Sequence, residues 1–362
     1  MKRAVLTVLT TLLAGCGAVG MPHAALQAGA MEAAAKKGGY QLLVMPDMGV
    51  GSVVAQLKAA KKAIHMEMYM ITPKNDSGLV LDTLCERAKA GVDVSVILDG
   101  SVNDFPQPPS CEKPTNPLKR NQFAFDALSA AGAKVKWSNP AFRFTHQKSV
   151  WIDGQTALIM TMNMSTSAFR FNREYVIVDR VPAEVAEVGK IFDADWNNAA
   201  YTPSRPDFVV SPVNSRAQIL KLIDSAKKTL VYQVEFLSDK EMAEHLAARV
   251  KAGVEVTAMM SAQMKDPCSG NDSNAQTTAL MASIGITKFA FTHKVTMHAK
   301  AIVVDDQRAY IGSENFTANS LNNNRELGLV TDDATLVKPL IKVMAQDWAE
   351  RDQPAPPHLA VD

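Results

Sequence analysis

Hydrophobic and polar positions along this chain follow helical and extended periodicities in turn. ILKLIDSAKK (219–228) has apolar residues at helical spacing, and TLVYQVEFL (229–237) is rich in β-forming residues. EMAEHLAARVKAG (241–253) is again helical in spacing and ends on a glycine, and VEVTAMM (254–260) is extended and apolar. Alternating strands and helices of this kind predict an α/β sheet that is covered by helices.

The same succession occurs earlier in the chain, which indicates an internal duplication. RAKAGVDVSVI (87–97) matches RVKAGVEVTAM (249–259), and residues 146–196 match 298–348 without a gap. This period is far longer than the roughly 20–50 residues of a solenoid repeat. We therefore predict two homologous α/β halves, a first half at 39–200 and a second half at 210–350, with a linker within 197–209. Each half reads as three strands with intervening helices, a loop, a helix and strand, a hairpin and a closing helix.

Composition fits this organisation. The 362 residues are 47% hydrophobic and 21% charged, which is typical of a soluble globular protein with room for two ordinary domains. The net charge is +1, so no overall basic field favours a nucleic-acid partner. A net charge near zero is still compatible with a local basic groove.

The N-terminus predicts export. A positive start, MKR, precedes a short apolar stretch at 4–14 that cannot span a bilayer, so residues 1–15 read as a signal peptide. Leu-Ala-Gly-Cys at 13–16 resembles the lipobox of bacterial lipoproteins, in which the cysteine is acylated and becomes the mature N-terminus. This resemblance predicts a chain that is lipid-anchored to a bacterial membrane through Cys16, with 17–38 as a tether. In a Gram-negative host it would face the periplasm from the outer membrane. The alternative is an ordinary signal peptide that is cut nearby.

Export also makes disulfides feasible. Cys85 lies on the apolar side of a predicted helix and reads as a buried thiol. Cys111 and Cys268 fall in corresponding loops of the two halves, and we hypothesise that they form a disulfide. The alternative is two unpaired loop thiols.

The candidate chemistry lies in two matched stretches, THQKSVWIDGQTALIMTMN (145–163) and MHAKAIVVDDQRAYIGSEN (297–315). Residues two apart in a strand point to the same face, so each histidine projects with the lysine that follows it. A hairpin of this length returns an asparagine to the same end. Each half thus offers an imidazole, an ammonium and a carboxamide: His146, Lys148 and Asn163 in the first patch, and His298, Lys300 and Asn315 in the second patch.

This trio suits a phosphoryl group that gains negative charge in a transition state. Imidazole can attack or transfer a proton near neutral pH, lysine supplies positive charge, and the amide donates a hydrogen bond. A protonated lysine is a poor metal ligand, so we predict neither a metal site nor a cofactor. Phosphodiester cleavage benefits from two imidazoles, one to attack phosphorus and one to protonate the departing oxygen. We therefore expect one histidine per half to act, and a monomer to suffice for catalysis.

The full pattern HxKx4Dx6GSxN, from His298 to Asn315, resembles the signature of the phospholipase D superfamily. The first copy departs from it, since Met160 replaces the glycine, and we expect this to change how closely the backbone approaches phosphate. The resemblance covers about residues 40–350. It implies two α/β halves packed with pseudo-twofold symmetry around one active site. It also implies metal-independent transfer through a phosphohistidine, with attack assigned to His146 and acid–base work to His298.

The resemblance implies roles for further matched pairs. Glu174 and Glu326, each 28 residues after their histidine, resemble the carboxylates that orient the imidazoles; the alternative is a pair of surface salt bridges. The other pairs are Asp153 with Asp305, expected to pin the hairpin ends, and Thr161 with Ser313, expected to contact the substrate phosphate.

From these features we predict a phospholipase D that hydrolyses a phospholipid at a membrane surface, giving phosphatidate and a free headgroup. One alternative is phosphatidyl transfer, as in cardiolipin synthase. Another is an exported nuclease of the same superfamily, which the near-zero net charge disfavours. A binding protein with a dead site would have lost a histidine or lysine, and both motifs keep theirs.

Overall fold

A computed structural model of the chain describes residues 39–73, 75–100, 111, 121–262 and 266–353. The predicted signal peptide, the lipidation site Cys16 and the tether at 17–38 lie outside these residues. Within the described part, no helix combines the length and the apolar character that a bilayer span requires.

The first half begins with three strand–helix units and ends on a long helix. Its elements are β1 (Tyr40–Met45), α1 (Gly49–Ala59), β2 (Ala63–Met68), α2 (Asn75–Lys89), β3 (Asp93–Leu98), α3 (Gln122–Ala130), β4 (Lys134–Trp137), β5 (Lys148–Ile152), β6 (Thr156–Met160), α4 (Thr166–Arg170), β7 (Asn172–Asp179) and α5 (Pro182–Trp196).

The second half repeats this order with one additional short strand. Its elements are β8 (Phe208–Ser211), α6 (Ser215–Asp224), β9 (Thr229–Val234), α7 (Lys240–Lys251), β10 (Glu255–Ser261), α8 (Ser273–Ser283), β11 (Lys288–Thr292), β12 (Thr296–Met297), β13 (Lys300–Val304), β14 (Arg308–Gly312), α9 (Ala318–Asn322), β15 (Glu326–Thr331) and α10 (Ala334–Ala349).

The two sheets have the same topology. The first runs β1-β7-β6-β5-β2-β3-β4, and the second runs β8-β15-β14-β13-β9-β10-β11. In each, three neighbouring strands are parallel and are connected by helices, whereas the hairpin strands are antiparallel. The short strand β12 pairs with β7 of the other half. The predicted α/β fold with two homologous halves is confirmed.

Local signals in the sequence set the ends of the helices. Asp239 caps α7 by accepting a hydrogen bond from the backbone N–H of Met242 at 3.1 Å. The helix is followed by Gly253 at a φ of 84°, a conformation that glycine adopts without steric penalty. Gly91 follows α2 in the first half with a φ of 86°. Both glycines turn the chain into the next parallel strand.

The halves meet through a shared apolar core and buried ion pairs. Strand β6 packs against β14 and β15, and helices α5 and α10 extend the same core. Arg173 of the first half pairs with Asp347 of the second at 2.8 Å, and Arg325 of the second pairs with Asp195 of the first at 2.7 Å. Removing one partner of a buried ion pair leaves an uncompensated charge and costs about 3–5 kcal/mol. These pairs therefore tie the two halves into one unit.

Each hairpin is fixed at the end away from the histidines by an aspartate. Asp153 accepts hydrogen bonds from three successive backbone N–H groups, those of residues 61–63, at 2.7–2.8 Å. Asp305 accepts from the equivalent groups of residues 227–229 at 2.7–3.0 Å. Both aspartates thus join the hairpin turn to the start of the neighbouring strand, as a structural role requires.

The loops that follow β3 and β10 are joined covalently, since Cys111 and Cys268 form a disulfide across the two halves. Within the described residues, Cys85 is the free cysteine and is partly buried. The disulfide hypothesised from the corresponding positions of the two cysteines is therefore present in the structure.

Replacing Asp305 by Asn should destabilise the protein by about 1–2 kcal/mol, because a neutral amide offers one acceptor oxygen to three backbone donors. Asp306→Asn is the matched control, since Asp306 has a similar φ of 57° but is exposed. It should change stability by less than about 0.5 kcal/mol. Thermal unfolding of both variants measures the difference, and equal losses would contradict the pinning role.

Candidate active site

The two motif histidines lie at the seam between the halves, each just ahead of a central strand. The backbone N–H of His146, before β5, donates to the carbonyl oxygen of Arg325 in the other half at 2.9 Å. His298 occupies the equivalent position before β13. The lysine two residues after each histidine is fully buried, and its Nζ donates to the backbone oxygen of that histidine at 2.5 Å. Imidazole and ammonium therefore lie together in both patches.

Each imidazole is held by a glutamate from the opposite half. His146 Nδ1 lies 2.8 Å from a carboxylate oxygen of Glu326 on β15. His298 Nδ1 lies 2.7 Å from a carboxylate oxygen of Glu174 on β7. Both glutamates are fully buried, so they are not surface salt bridges. A carboxylate on Nδ1 fixes the tautomer and directs Nε2 away from the glutamate. The crossed pairing brings both histidines to one seam.

The electrostatics suit these pairs. Burial alone would raise the pKa of Glu174 and of Glu326, but attraction to the partner histidine and a lysine outweighs it and lowers both pKa values. Burial lowers the pKa of His146, and the nearby charge of Glu326 only partly opposes that effect. At neutral pH His146 is therefore an uncharged imidazole with its proton on Nδ1 and a lone pair on Nε2.

Lys148 has the most strongly altered pKa of the catalytic candidates. Burial lowers it to about 7, and Lys300 of the other half adds repulsion, whereas Glu326, Glu174 and Glu235 oppose the shift. Mutual influence between lysines of different halves places both patches in one electrostatic site. A bound anion favours the charged form of a neighbouring lysine.

The asparagines complete the two patches. Asn163 and Asn315 follow the return strands and are both 9% exposed. The side-chain oxygens of both lack a hydrogen-bond partner within the described residues. Asn315 Nδ2 donates to Glu235 Oε2 at 3.3 Å. The amides thus retain hydrogen-bonding capacity for a bound group.

Thr161 and Ser313 lie behind the glutamates, which corrects the expectation that they contact phosphate. The Thr161 hydroxyl donates to Glu174 at 2.6 Å and accepts from the backbone of Tyr175 at 2.9 Å. The Ser313 hydroxyl accepts from the backbone of Leu327 at 3.1 Å. Both residues are fully buried. Each lies two residues before its asparagine, but the return strands end at Met160 and Gly312, so strand alternation no longer places the two side chains on one face.

The glycine of the signature also has a different role from the one expected. A Cβ on Gly312 would clash with the Tyr310 hydroxyl, with Glu314 and with the backbone of Gly328. The space therefore accommodates a tyrosine, which hydrogen bonds to Glu314, and not a phosphate. Burial and the charge of Glu326 raise the pKa of Glu314 to about 8, so this carboxyl is neutral at pH 7.

Met160 in the first half fits the same explanation. Its repeat neighbours are Leu158 and Val176, which replace the Tyr310 and Gly328 of the second half. All three apolar side chains of the first half are fully buried. Methionine thus fills the space that the tyrosine ring occupies in the second half, and the departure from the signature leaves the first patch intact.

Sequence reasoning missed a layer of residues around the patches. Arg173 and Arg325 directly precede the two glutamates, and their buried pairs with Asp347 and Asp195 hold the glutamate strands to the opposite half. Arg173 and Arg325 are 152 positions apart, the same offset that relates the two histidines, and this match could have identified them from the sequence. Glu235, close to His298, was also missed.

Within the described ranges, no group of three or more His, Cys, Asp or Glu side chains is arranged to hold a metal ion. Cys16, the predicted lipidation site, and most of the loop at 101–120 fall outside those ranges.

A sequence profile for the family described as "Cardiolipin synthase, PLD-like domain" matches residues 53–196 and 219–348, which covers both halves. The chain belongs to this family of the phospholipase D superfamily.

Relatives of this phospholipase D-like chain carry the name cardiolipin synthase. It is 23% identical over 333 residues to the major cardiolipin synthase of Bacillus subtilis, which covers 82% of this chain and 66% of that protein. It is 25% identical over 347 residues to cardiolipin synthase A of Erwinia tasmaniensis, which covers 86% and 69%. The chain therefore spans about two thirds of the length of these relatives.

A solved structure supports the fold of the superfamily. Phosphatidylserine synthase of Haemophilus influenzae superposes with a TM-score of 0.64 at 12% identity and with 86% of each chain covered. At this identity the likeness concerns the fold alone.

The relatives also correct the predicted reaction. Hydrolysis of a phospholipid to phosphatidate and a free headgroup is wrong as the leading reading, because the curated relatives are named as synthases of cardiolipin. The motif could not reveal this, since hydrolysis and transfer share their first step in this superfamily.

The crossed pairing predicts which histidine each glutamate controls. Replacing Glu326 by Gln should lower the pKa of His146 further, because the carboxylate is what opposes the effect of burial. Glu174→Gln is the matched control, since it removes the same charge beside His298. NMR titration of the ring signals measures the shift. A larger effect of Glu174→Gln on His146 would contradict pairing across the halves.

Proposed function

We propose that this chain is a phosphatidyltransferase of the cardiolipin synthase type. It transfers a phosphatidyl group from one phosphatidylglycerol to a hydroxyl of a second, releasing glycerol. The observation that carries the proposal is the pair of histidine–lysine patches, each completed by a glutamate of the other half, in a chain whose curated relatives are named cardiolipin synthases.

The first step transfers the phosphatidyl group to the protein. Nε2 of His146 attacks phosphorus with its lone pair, and the bond from phosphorus to the glycerol oxygen breaks. The oxygen leaves with the electron pair and takes the proton from Nε2 of His298. The products are phosphorylated His146, neutral His298 and free glycerol. Neutral His146 at pH 7 supports its role as the nucleophile.

The second step uses the same groups in reverse. A hydroxyl oxygen of the acceptor attacks phosphorus, and its proton passes to Nε2 of His298. The bond between phosphorus and nitrogen breaks, and its electron pair returns to His146. Lys148 and Lys300 offset the negative charge that builds on the phosphoryl oxygens in both steps, which is worth most in a buried site. The cycle restores the starting protonation states.

Exposed apolar side chains support a lipid substrate. The large hydrophobic residues that are well exposed in the described part are Phe123 (56%), Leu79 (51%), Val213 (43%) and Phe236 (40%). Val213 and Phe236 lie two residues beyond the ends of β8 and β9, whereas Leu79 and Phe123 lie near the starts of α2 and α3. Strand β2 ends opposite Lys148, and β8 ends opposite Glu326. Exposed apolar residues on the side of the sheets where the catalytic candidates lie fit contact with a membrane interface.

The chain would meet this membrane with help from its N-terminus. On the lipobox resemblance alone, we propose that an acylated Cys16 anchors the mature protein beside its substrate. Mass spectrometry of the N-terminal peptide tests this, and an unmodified cysteine or cleavage elsewhere would refute it.

Purified protein given phosphatidylglycerol vesicles should form diphosphatidylglycerol and glycerol in equal amounts. His146→Asn and His298→Asn should each lower the rate by a factor on the order of 10³ or more, because each removes a group that takes part in both steps. His245→Asn, on the surface of α7, is the matched control and should retain activity. Thin-layer chromatography with labelled lipid identifies the products, and phosphatidate as the sole lipid product would overturn the proposal.

The membrane-facing edge can be tested separately. Replacing Leu79 and Phe123 together by serine should weaken binding to phosphatidylglycerol vesicles by about tenfold, because it removes two apolar groups from the interface. Turnover of a short-chain, monomeric phosphatidylglycerol should stay unchanged. Vesicle flotation measures binding. Unchanged flotation, or equal losses with both substrates, would argue against this edge as the membrane contact.

A further inference from the structure

The two patches are chemically alike, but the residue beside each histidine differs. Strands β2 and β9 occupy equivalent places in the two sheets, and the first residue after each one borders a patch. In the first half this residue is Tyr69, and in the second half it is Glu235. The duplication has therefore put an aromatic ring beside one histidine and a carboxylate beside the other.

Glu235 is held by all three members of the second patch. Its Oε2 lies 3.3 Å from Nε2 of His298, 3.2 Å from Nζ of Lys300 and 3.3 Å from Nδ2 of Asn315. Burial would raise the pKa of this carboxyl, but the attraction of His298 and Lys300 prevails and lowers it to about 2. Glu235 is thus an anion throughout the physiological range.

Tyr69 places no charge beside the first patch. Its ring stands edge-on to the ring of His146, with centroids 4.7 Å apart. Nζ of Lys148 lies 5.4 Å from the centre of the same tyrosine ring. Within the described residues, the carboxylate in ion-pair contact with His146 is Glu326, at Nδ1.

The two histidines therefore differ in how many carboxylates they face. His298 has Glu174 at 2.7 Å from Nδ1 and Glu235 at 3.3 Å from Nε2. A ring with an anion at each nitrogen is stabilised in the form that carries protons on both, which is the imidazolium. An imidazolium has no lone pair for attack on phosphorus, but it can give a proton to a departing oxygen.

We propose that Glu235 is a positioning residue that divides the reaction between the halves: it keeps His298 as the proton carrier and leaves attack on phosphorus to His146. The inference rests on the proposed two-step transfer and gives a structural reason for its assignment of roles. In the first step the proton leaves Nε2 of His298 with the glycerol oxygen. In the second step the same nitrogen takes the proton of the acceptor hydroxyl, and Glu235 again stabilises the cation that forms.

The charged groups that face His298 come from several elements. They are Glu174 on β7, Glu235 after β9 and Lys300 on β13, and Lys148 on β5 adds the second lysine of the site. The lysines disfavour a positive ring, whereas the two carboxylates favour it. Removing the charge of Glu235 therefore leaves a single carboxylate, that of Glu174, in ion-pair contact with the ring of His298 among the described residues.

Substrates whose leaving groups differ in basicity distinguish a loss of proton transfer by His298 from a general loss of active-site structure. A glycerol oxygen needs a proton as it departs, whereas 4-nitrophenolate departs without one. Glu235→Gln should therefore lose roughly 10–100-fold in kcat/KM with phosphatidylglycerol. It should keep a near-normal burst of 4-nitrophenolate from phosphatidyl-4-nitrophenol. Glu235→Tyr, which copies the first half, should behave in the same way.

Glu241→Gln is the matched control, because Glu241 is a surface carboxylate at the start of α7 that pairs with Arg216. It should leave the turnover of both substrates unchanged. Equal losses of Glu235→Gln with the two substrates would overturn the proposal.

Mapping of the phosphohistidine in the unaltered protein gives an independent test. The protein is mixed with labelled phosphatidyl-4-nitrophenol and the reaction is stopped rapidly without acid or heat. Label should then be found on the peptide that contains His146. Label on His298 would refute the division of roles whatever the variants do. The burst needs no lipid acceptor, so a normal burst without diphosphatidylglycerol formation would refute the proposed synthase function and leave the role of Glu235 intact.

Discussion

The crossed contacts between histidines and glutamates are the interaction on which the site depends. Glu326 belongs to the second half and holds His146 of the first, and Glu174 does the reverse for His298. Neither half by itself contains an oriented imidazole, because the carboxylate that fixes the tautomer lies across the seam. The buried pairs of Arg173 with Asp347 and of Arg325 with Asp195 bind the same strands across that seam. Each arginine that stabilises the seam directly precedes the glutamate that orients a histidine, so the same two strands carry both functions.

Symmetry holds in the histidine, lysine and asparagine of each patch and is relaxed around them. The second half has Tyr310, Gly312 and Gly328 where the first half has Leu158, Met160 and Val176. One large and two minimal side chains are thus exchanged for three of intermediate size, and the core remains filled in both halves. Such exchanges alter the core and spare the patches. The exchange of Tyr69 for Glu235 is different in kind, because it changes the charge beside a histidine.

The sequence was sufficient for the fold and the central residues because both follow from periodicity and from a repeat at constant spacing. His146, Lys148 and Asn163 could be grouped by strand geometry alone. The crossed choice of glutamate could not, since an offset of 28 residues is the same whether the pair forms within a half or between halves. Thr161 and Ser313 were assigned to the wrong contacts because the chain turns after the return strand.

Glu235 could not be predicted from the repeat, because the equivalent residue of the first half is a tyrosine and comparison of the halves identifies only residues that are alike. Hydrolysis and transfer could not be distinguished, because the acceptor enters after the shared first step.

The balance of charge in the resting site explains how two lysines can remain buried. Lys148 and Lys300 face Glu174, Glu326 and Glu235, so the lysine charges are offset before any substrate arrives, and the desolvation that burial imposes is reduced. The balance is poised, because the pKa of Lys148 is lowered to about 7. A phosphodiester brings a further negative charge and favours the protonated form of this lysine. In the proposed reaction, substrate binding would therefore increase the positive charge of the site when the phosphoryl oxygens require it, without a permanent excess of positive charge in the protein interior.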